Sequence, residues 1–261
     1  MIDFHTHILP NIDDGSQSIE ETFNLIKEAE RAGFDKIIST SHYIENYYET
    51  ENREREFWIK SLSQQFSSQN INAKIYMGNE IYITENLIEL LKSEKASTIN
   101  NTSYVLFELP FNIEPMNLYD IVYEMLKNKL VPILAHPERY RYVQKDPDII
   151  ADLIEKGVLM QSNYGSIIGQ YGKKEKILVM EFLKNNMIHF LGSDVHKQGT
   201  IYPKIPRIVN FLKDKLDEKY VDELTTENAE LVLNNKKINI REVTQLQFSF
   251  KEKMMMNWRI G

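Results

Sequence analysis

Five of the six histidines in this 261-residue chain lie in short polar clusters that each close an apolar run. The first cluster, "DFHTHILPNIDDGSQS" at residues 3–18, carries His5, His7 and three aspartates. Side chains two apart on a strand share a face, with Cα atoms roughly 6–7 Å apart. His5 and His7 can therefore address one ion. A lone His-x-His pair says little, but the wider count says more. His42, His136 and His196 end other runs, and the carboxylates Asp14, Glu80, Glu108 and Asp194 occupy equivalent positions. Sequence alone does not separate Asp14 from its neighbour Asp13. Four carboxylates brought together would repel one another and take up protons; divalent cations remove the conflict. The set predicts metal binding. Imidazole and carboxylate without thiolate suit manganese, iron, cobalt or zinc rather than an all-oxygen calcium or magnesium cage. Nine side chains, with one or two carboxylates bridging, exceed the needs of one ion and fit three best. Three dications against four carboxylates leave a positive site, which would attract a phosphate dianion. The sixth histidine, His189, falls at the opposite end of the last run and reads as structural.

The elements that must position these groups are visible as an alternation. Apolar, β-branched runs occupy residues 2–7, 36–42, 74–82, 104–111, 131–136, 158–163 and 189–196. Each is of strand length and near-continuously apolar, as for strands buried on both faces. Amphipathic stretches separate them. Ser18 and Glu21 form a capping-box pattern with Gly33 as the stop, Asn117 opens a second helix, and Asp146-Pro147 with Gly157 brackets a third. Seven strands alternating with helices predict an α/β fold with a parallel sheet, and a closed barrel is at least as consistent as an open sheet. Every run delivers its polar side chains at its C-terminal end, the face that carries the active site in (β/α) barrels.

The composition bounds the function. Hydrophobic residues make up 42% and charged residues 26%, as in an ordinary globular protein. With no cysteine there is no disulfide, no thiolate metal site and no cysteinyl-phosphate route. The formal charge of −7 argues against nucleic acid. No leader-like segment and no apolar run of the roughly 20 residues that span a membrane is present, so the expectation is a cytoplasmic protein without membrane insertion.

The motifs "DFHTH", "TSHY", "GNEIY", "FELPF", "LAHPERY" and "GSDVH", in this order, resemble the PHP (polymerase and histidinol phosphatase) superfamily. "HILPNIDDGSQS" and "AHPERY" resemble its manganese-dependent protein tyrosine phosphatase branch, found with capsule and exopolysaccharide genes of Gram-positive bacteria. The resemblance covers about residues 1–233. It implies a distorted seven-stranded (β/α) barrel with three metal ions. His5, His7 and Asp194 would hold the first, Glu108 and His136 the second, with Glu80 bridging the two. Asp14, His42 and His196 would hold the third; the family pattern favours Asp14 over Asp13. Arg139 matches the phosphate-binding arginine of "HPER". The chain departs from the family where an asparagine and an arginine often follow the last motif: Lys197 and Ile201 stand there. Lys197 or Arg207 could take over the missing contact.

The implied function is metal-dependent hydrolysis of protein phosphotyrosine, on a bacterial tyrosine kinase of a polysaccharide export system. The alternatives are a small-molecule phosphatase of histidinol-phosphatase type, or a non-catalytic metal-binding module. A phenolate leaving group, with pKa about 10, needs little protonation, which suits a site with no evident general acid. Tyr43, Phe111, Tyr140 and Tyr164 each follow a strand-end motif, and either wall the mouth or pack among the loops. One domain over residues 1–261 is expected. Residues 234–261, with "KEKMMMNWRIG" and no assignable site residue, read as a C-terminal extension, either a terminal helix or a flexible basic tail.

Overall fold

The structure is a computed structural model that describes residues 1–258. Among the described residues nine strands form two all-parallel sheets. They are β1 (Ile2–Thr6), β2 (Lys36–Ser39), β3 (His42–Tyr43), β4 (Lys74–Met77), β5 (Glu80–Tyr82), β6 (Tyr104–Glu108), β7 (Val131–Ala135), β8 (Leu159–Asn163) and β9 (Phe190–Gly192). One sheet has the order β1-β2-β4; the other is a curled six-stranded sheet with the order β3-β5-β6-β7-β8-β9. The expectation of a parallel α/β architecture is met. The seven runs are present, but two of them break.

The breaks have a local cause. The second run divides at Thr40-Ser41 and the third at Gly78-Asn79. There Asn79 supplies side-chain hydrogen bonds in place of ladder bonds, donating through Nδ2 to the Ser41 carbonyl at 2.7 Å and accepting through Oδ1 from the Ser97 amide at 2.9 Å. The two sheets meet at both margins. On one side Glu80 N–H, in β5, donates to the carbonyl of Thr40, just after β2. On the other side Thr6 bridges Val195 in parallel, and His7 N–H donates to Val195 O at 3.1 Å.

Two apolar layers support this arrangement. Inside the curl, Phe4, Ile38, Leu106, Ile133, Leu159 and Phe190 form one cluster, with Phe4 stacked on Phe190 at 4.1 Å. Alternate residues such as Ile37, Phe107, Leu134 and Leu191 face the helices in the larger cluster. Between Asp3 and Thr6 two residues of β1, Phe4 and His5, stand opposite one of β2, Ile38. This bulge puts His5 on the inner side directly after Phe4; bulges commonly re-aim a side chain next to a site.

The first helix, Ile19–Arg31, starts where expected: Ser18 accepts from the Glu21 amide. Glu21 instead reaches the Gln17 amide at 2.8 Å, so the expected box is not reciprocal. The third expected helix begins one residue late, with Pro147 rather than Asp146 at the cap. The C-terminal extension is not a loose tail over its described part. Ser249 and Glu252 form a true capping box on the helix Phe250–Met256. Trp258 donates through Nε1 to the Gln144 carbonyl at 2.9 Å and meets Phe248 edge-on. The rest of the expected extension, residues 259–261, lies outside the described residues.

Candidate metal centre

All nine sequence-predicted ligands converge on one end of the curled sheet, above the inner apolar cluster. Glu80, at the start of β5, is fully buried and central. Its Oε2 lies 3.2 Å from His5 Nε2, 3.5 Å from His7 Nε2 and 3.0 Å from His42 Nδ1, while Oε1 lies 2.8 Å from His136 Nε2. Glu108, the last residue of β6, adds Oε1 at 3.2 Å from His42 Nδ1. Asp194 Oδ1 lies 3.6 Å from His5 Nε2 and 3.5 Å from His7 Nε2. Asp14 approaches His196 Nε2 at 3.3 Å and His42 Nε2 at 3.6 Å.

Among the described residues, three ligand groups are close enough for an ion each: His7-Asp14-His42-His196, His5-His7-Glu80 and His42-Glu80-Glu108. Glu80 sits in two of them, as a bridging carboxylate should. The grouping differs from the carried-over one: His136 and Asp194 stand in none of the three groups, His7 also approaches Asp14, and His42 also faces Glu108.

Three imidazoles have their tautomers set by neighbours. Asp13, not among the expected ligands, is buried and accepts a hydrogen bond from His7 Nδ1 at 2.8 Å. It also accepts from the His42 and Gly15 amides. Gln161 donates through Nε2 to Ser162 O and Asn163 Oδ1, which leaves its Oε1 to accept from His5 Nδ1 at 2.7 Å. His196 Nδ1 donates to the Asp194 carbonyl at 3.0 Å. Each of these rings then aims an Nε2 lone pair at the cluster, the arrangement that outer-shell partners impose on metal-binding histidines. The Nε2 atoms of His5 and His7 are only 3.0 Å apart, and two lone pairs that close need a cation between or beside them. His42 Nδ1 and Glu80 Oε2 are both buried and make no hydrogen bond. The donor set fits divalent metal.

The electrostatics agree. Burial would lower the pKa of His5, but Glu80 and Asp194 raise it to about 9. Burial likewise opposes charge on His42, but Glu80 and Glu108 push it up to about 12. His196 rises to about 9 against burial, through Asp14 and Asp194. Burial works to raise Asp194, yet His5, His196 and Arg139 hold it well below the usual carboxylate range. The carboxylates demand positive charge at the centre.

The local backbone is shaped for this. His136 and Asp194 both have positive φ, 35° and 51°. Such strain in non-glycine residues clusters at functional sites. Two glycines permit close approach. A Cβ on Gly15 would lie 2.1 Å from His7 O, and one on Gly192 would lie 2.5 Å from the His5 Cβ.

A pocket of about 350 Å³ opens over the cluster, and Arg139 is on its wall. The Arg139 guanidinium is sandwiched between Phe111, 4.7 Å from the ring centre, and Tyr171, 4.5 Å away. It donates to Asp194 Oδ2 at 2.9 Å, and Asn163 donates to the same oxygen at 2.7 Å. Of the four aromatic side chains for which the sequence leaves mouth or interior packing open, Phe111 lines the mouth. Tyr43, Tyr140 and Tyr164 are buried in the core instead. Tyr140 is held there by donating to the Ala135 carbonyl and accepting from the Leu109 amide. Tyr47, Tyr48 and Tyr82 supply the remaining aromatic wall. Ile201 is buried apolar core, not a vacant position on the wall, and Arg207 lines a separate groove. Among the described residues, Arg139 is the one lysine or arginine lining the pocket. His189 lies apart, buried, with Nδ1 accepting from the Met160 amide.

Comparison with known proteins follows the same lines. The tyrosine-protein phosphatase YwqE of Bacillus subtilis is 31% identical over 238 residues, covering 91% of this chain and 93% of the relative. The tyrosine-protein phosphatase CpsB of Streptococcus agalactiae is 28% identical over 243 residues, covering 90% and 99%. A solved structure, described with YwqE from Bacillus subtilis and CpsB from Streptococcus pneumoniae as unique metal-dependent tyrosine phosphatases, superposes with a TM-score of 0.89 at 30% identity, over 95% of this chain and 100% of that one. The lactonase Lmo2620 of Listeria monocytogenes shares the fold alone, with a TM-score of 0.57 at 10% identity. The family described as capsular polysaccharide synthesis, CpsB/CapC, matches residues 1–234, and the chain belongs to that family.

Proposed function

We propose that this chain is a metal-dependent protein tyrosine phosphatase that hydrolyses phosphotyrosine on a bacterial tyrosine kinase controlling capsule or exopolysaccharide synthesis. The observation that carries the reading is the convergence of five imidazoles and four carboxylates beside Arg139, in a chain without cysteine. The named relatives are tyrosine-protein phosphatases, and the similar solved structure is described as metal-dependent. In this reading the two sheets act as one distorted seven-run barrel closed through the Thr6–Val195 bridge. Residues 1–258 work as one domain, with the segment after residue 234 as a buttress. The chain acts in the cytoplasm; no helix of the described residues is long and apolar enough to cross a membrane.

The ligands would be His5, His7, Asp14, His42, Glu80, Glu108, His136, Asp194 and His196, holding three divalent ions, manganese first. Bound there, the ions would supply positive charge against the phosphoryl oxygens and a water acidified to near neutral pH. The protein does the rest. Asp13, Gln161 and the Asp194 carbonyl keep the Nε2 atoms of His7, His5 and His196 free of protons. Phe111 and Tyr171 pack against the Arg139 guanidinium on the pocket wall, where its N–H groups can take two phosphoryl oxygens. Asn163 keeps Asp194 in place if Arg139 turns from it to substrate. Tyr48, Tyr82 and Phe111 give the phenyl ring apolar walls. A phenolate departs with little protonation, so the site needs no dedicated acid.

A hydrolysis panel tests the reading. With Mn²⁺ added, a phosphotyrosine peptide should turn over far faster than a phosphoserine peptide or histidinol phosphate. Preference for histidinol phosphate would transfer the chemistry to the small-molecule class.

A further inference from the structure

A second groove, of about 510 Å³, lies between the helix Tyr164–Ile168 and the helix Ile205–Lys213. Its floor and lip are apolar: Ile208 is buried, while Ile168 and Phe211 stand 40% and 38% exposed. Lys176, Lys204 and Arg207 rim it, all exposed. No carboxylate lines the groove, and none of these three cations takes part in an ion pair among the described residues. This contrasts with a chain whose formal charge is −7. A concave apolar surface ringed by unpaired cations is complementary to a segment that carries both carboxylates and apolar side chains.

The groove is also wired to the candidate centre. The helix Tyr164–Ile168 begins at the residue after Asn163, which donates to Asp194. Within the helix, Ser166 donates to buried Glu138 at 2.6 Å, the residue before Arg139.

We propose that this groove docks an acidic, leucine- or phenylalanine-containing segment of the phosphoprotein substrate, outside the phosphotyrosine itself. The proposal rests on the phosphatase reading for its biological partner, but not for the binding. A lipid surface fits less well, because an anionic membrane would be repelled by the acidic remainder of the chain and could not enter a concavity.

The test compares three substrates with the full chain in Mn²⁺ at low salt. These are p-nitrophenyl phosphate, a phosphotyrosine peptide with Glu and Leu in its flanks, and the same peptide with those positions changed to Ser. The wild-type chain should favour the acidic-apolar peptide over the Ser peptide by about tenfold in kcat/KM, mainly through KM, and lose the preference as salt rises. Lys176→Glu combined with Lys204→Glu and Arg207→Glu should abolish the preference while p-nitrophenyl phosphate turnover stays at the wild-type level. Phe211→Ser should reduce it several-fold without changing the salt dependence. Equal kcat/KM for the two peptides in the wild-type chain, or a preference that survives the triple charge reversal, would overturn the proposal. If no phosphate ester is hydrolysed, the phosphatase reading fails, yet docking stays testable. Fluorescence anisotropy of the unphosphorylated acidic-apolar peptide should show binding by the wild-type chain and not by the triple variant. No binding, or sedimentation with anionic vesicles in preference to peptide, would rule docking out.

Discussion

His189 and His5 are the same residue type, buried to the same degree, and their environments drive them in opposite directions. Among the described residues no carboxylate pairs with His189, and burial lowers its pKa to about 4. Around His5, Glu80 and Asp194 overcome burial and raise it to about 9. The first environment expels charge; the second draws it in. A buried histidine is therefore not in itself a sign of a site. What marks the centre is burial combined with four carboxylates that Arg139, paired with Asp194, only partly offsets, and the ring whose neighbours fix its proton on the outward nitrogen is ready for a metal.

The contrast breaks most clearly by substitution at each pole. Glu80→Gln or His136→Ala should lower kcat for p-nitrophenyl phosphate on the order of a thousandfold or more, a loss of roughly 4 kcal/mol in the barrier, with circular dichroism unchanged. His189→Gln should leave kcat within about twofold, since burial without carboxylates has no part in the reaction. Equal losses from both would erase the distinction.

Arg139→Ala comes next, because charged hydrogen bonds are worth about 1.5–3 kcal/mol each. A ten- to hundredfold loss in kcat/KM is expected at about that magnitude. Arg139→Lys should recover only part, as a point charge cannot make the two-pronged contact. With Ile201 in the core and Arg207 in another groove, no second side-chain cation on the pocket wall compensates.

Tyr171 gives a smaller effect. Removing one face of the aromatic sandwich in Tyr171→Ala should raise KM about three- to tenfold with kcat little changed, the range of a partly desolvated cation–π contact. Tyr171→Phe, which keeps the face, should behave as wild type. A kcat loss shared by both variants would point to the hydroxyl instead.

The least effect on activity, and a distinct one on stability, belongs to His189. Its folded-state pKa, about 4, lies below the usual 6.5, so the unfolded chain takes up the proton first as pH falls. Its contribution is complete above pH 6.5 and is lost between there and about pH 4, up to about 3 kcal/mol in all. Urea midpoints at pH 7 and pH 5 should therefore diverge less for His189→Gln than for wild type. An identical acid loss would place the titration elsewhere.

Much of the centre could be read from sequence because each ligand closes an apolar run, and parallel strands gather such positions at one end. His5, His42, Glu108 and Asp194 are legible on that ground alone. Asp13, Gln161, Asn163 and Tyr171 are not. Their roles depend on distances between elements far apart in sequence, as when Gln161 reaches His5 across the sheet. Asp13 looked interchangeable with Asp14, yet one is buried against His7 and the other half-exposed toward His196. The sequence leaves the aromatic positions open for a related reason. A strand-end tyrosine turns inward or outward according to local geometry, and Tyr140 follows His136, whose left-handed backbone redirects the chain. The split strands are not legible because both breaks, Thr40-Ser41 and Gly78-Asn79, fall inside apolar runs, and the Asn79 hydrogen bonds that replace the ladder form only between elements distant in sequence.

The most direct measurement is a metal titration of protein stripped by chelator, with metal content read by mass spectrometry and turnover followed on p-nitrophenyl phosphate. Stripped protein should be folded and inactive, and Mn²⁺ should restore activity in step with occupancy, reaching more than one ion per chain before the rate levels off. Full turnover by protein that holds no metal would contradict a carboxylate-rich centre built around divalent ions.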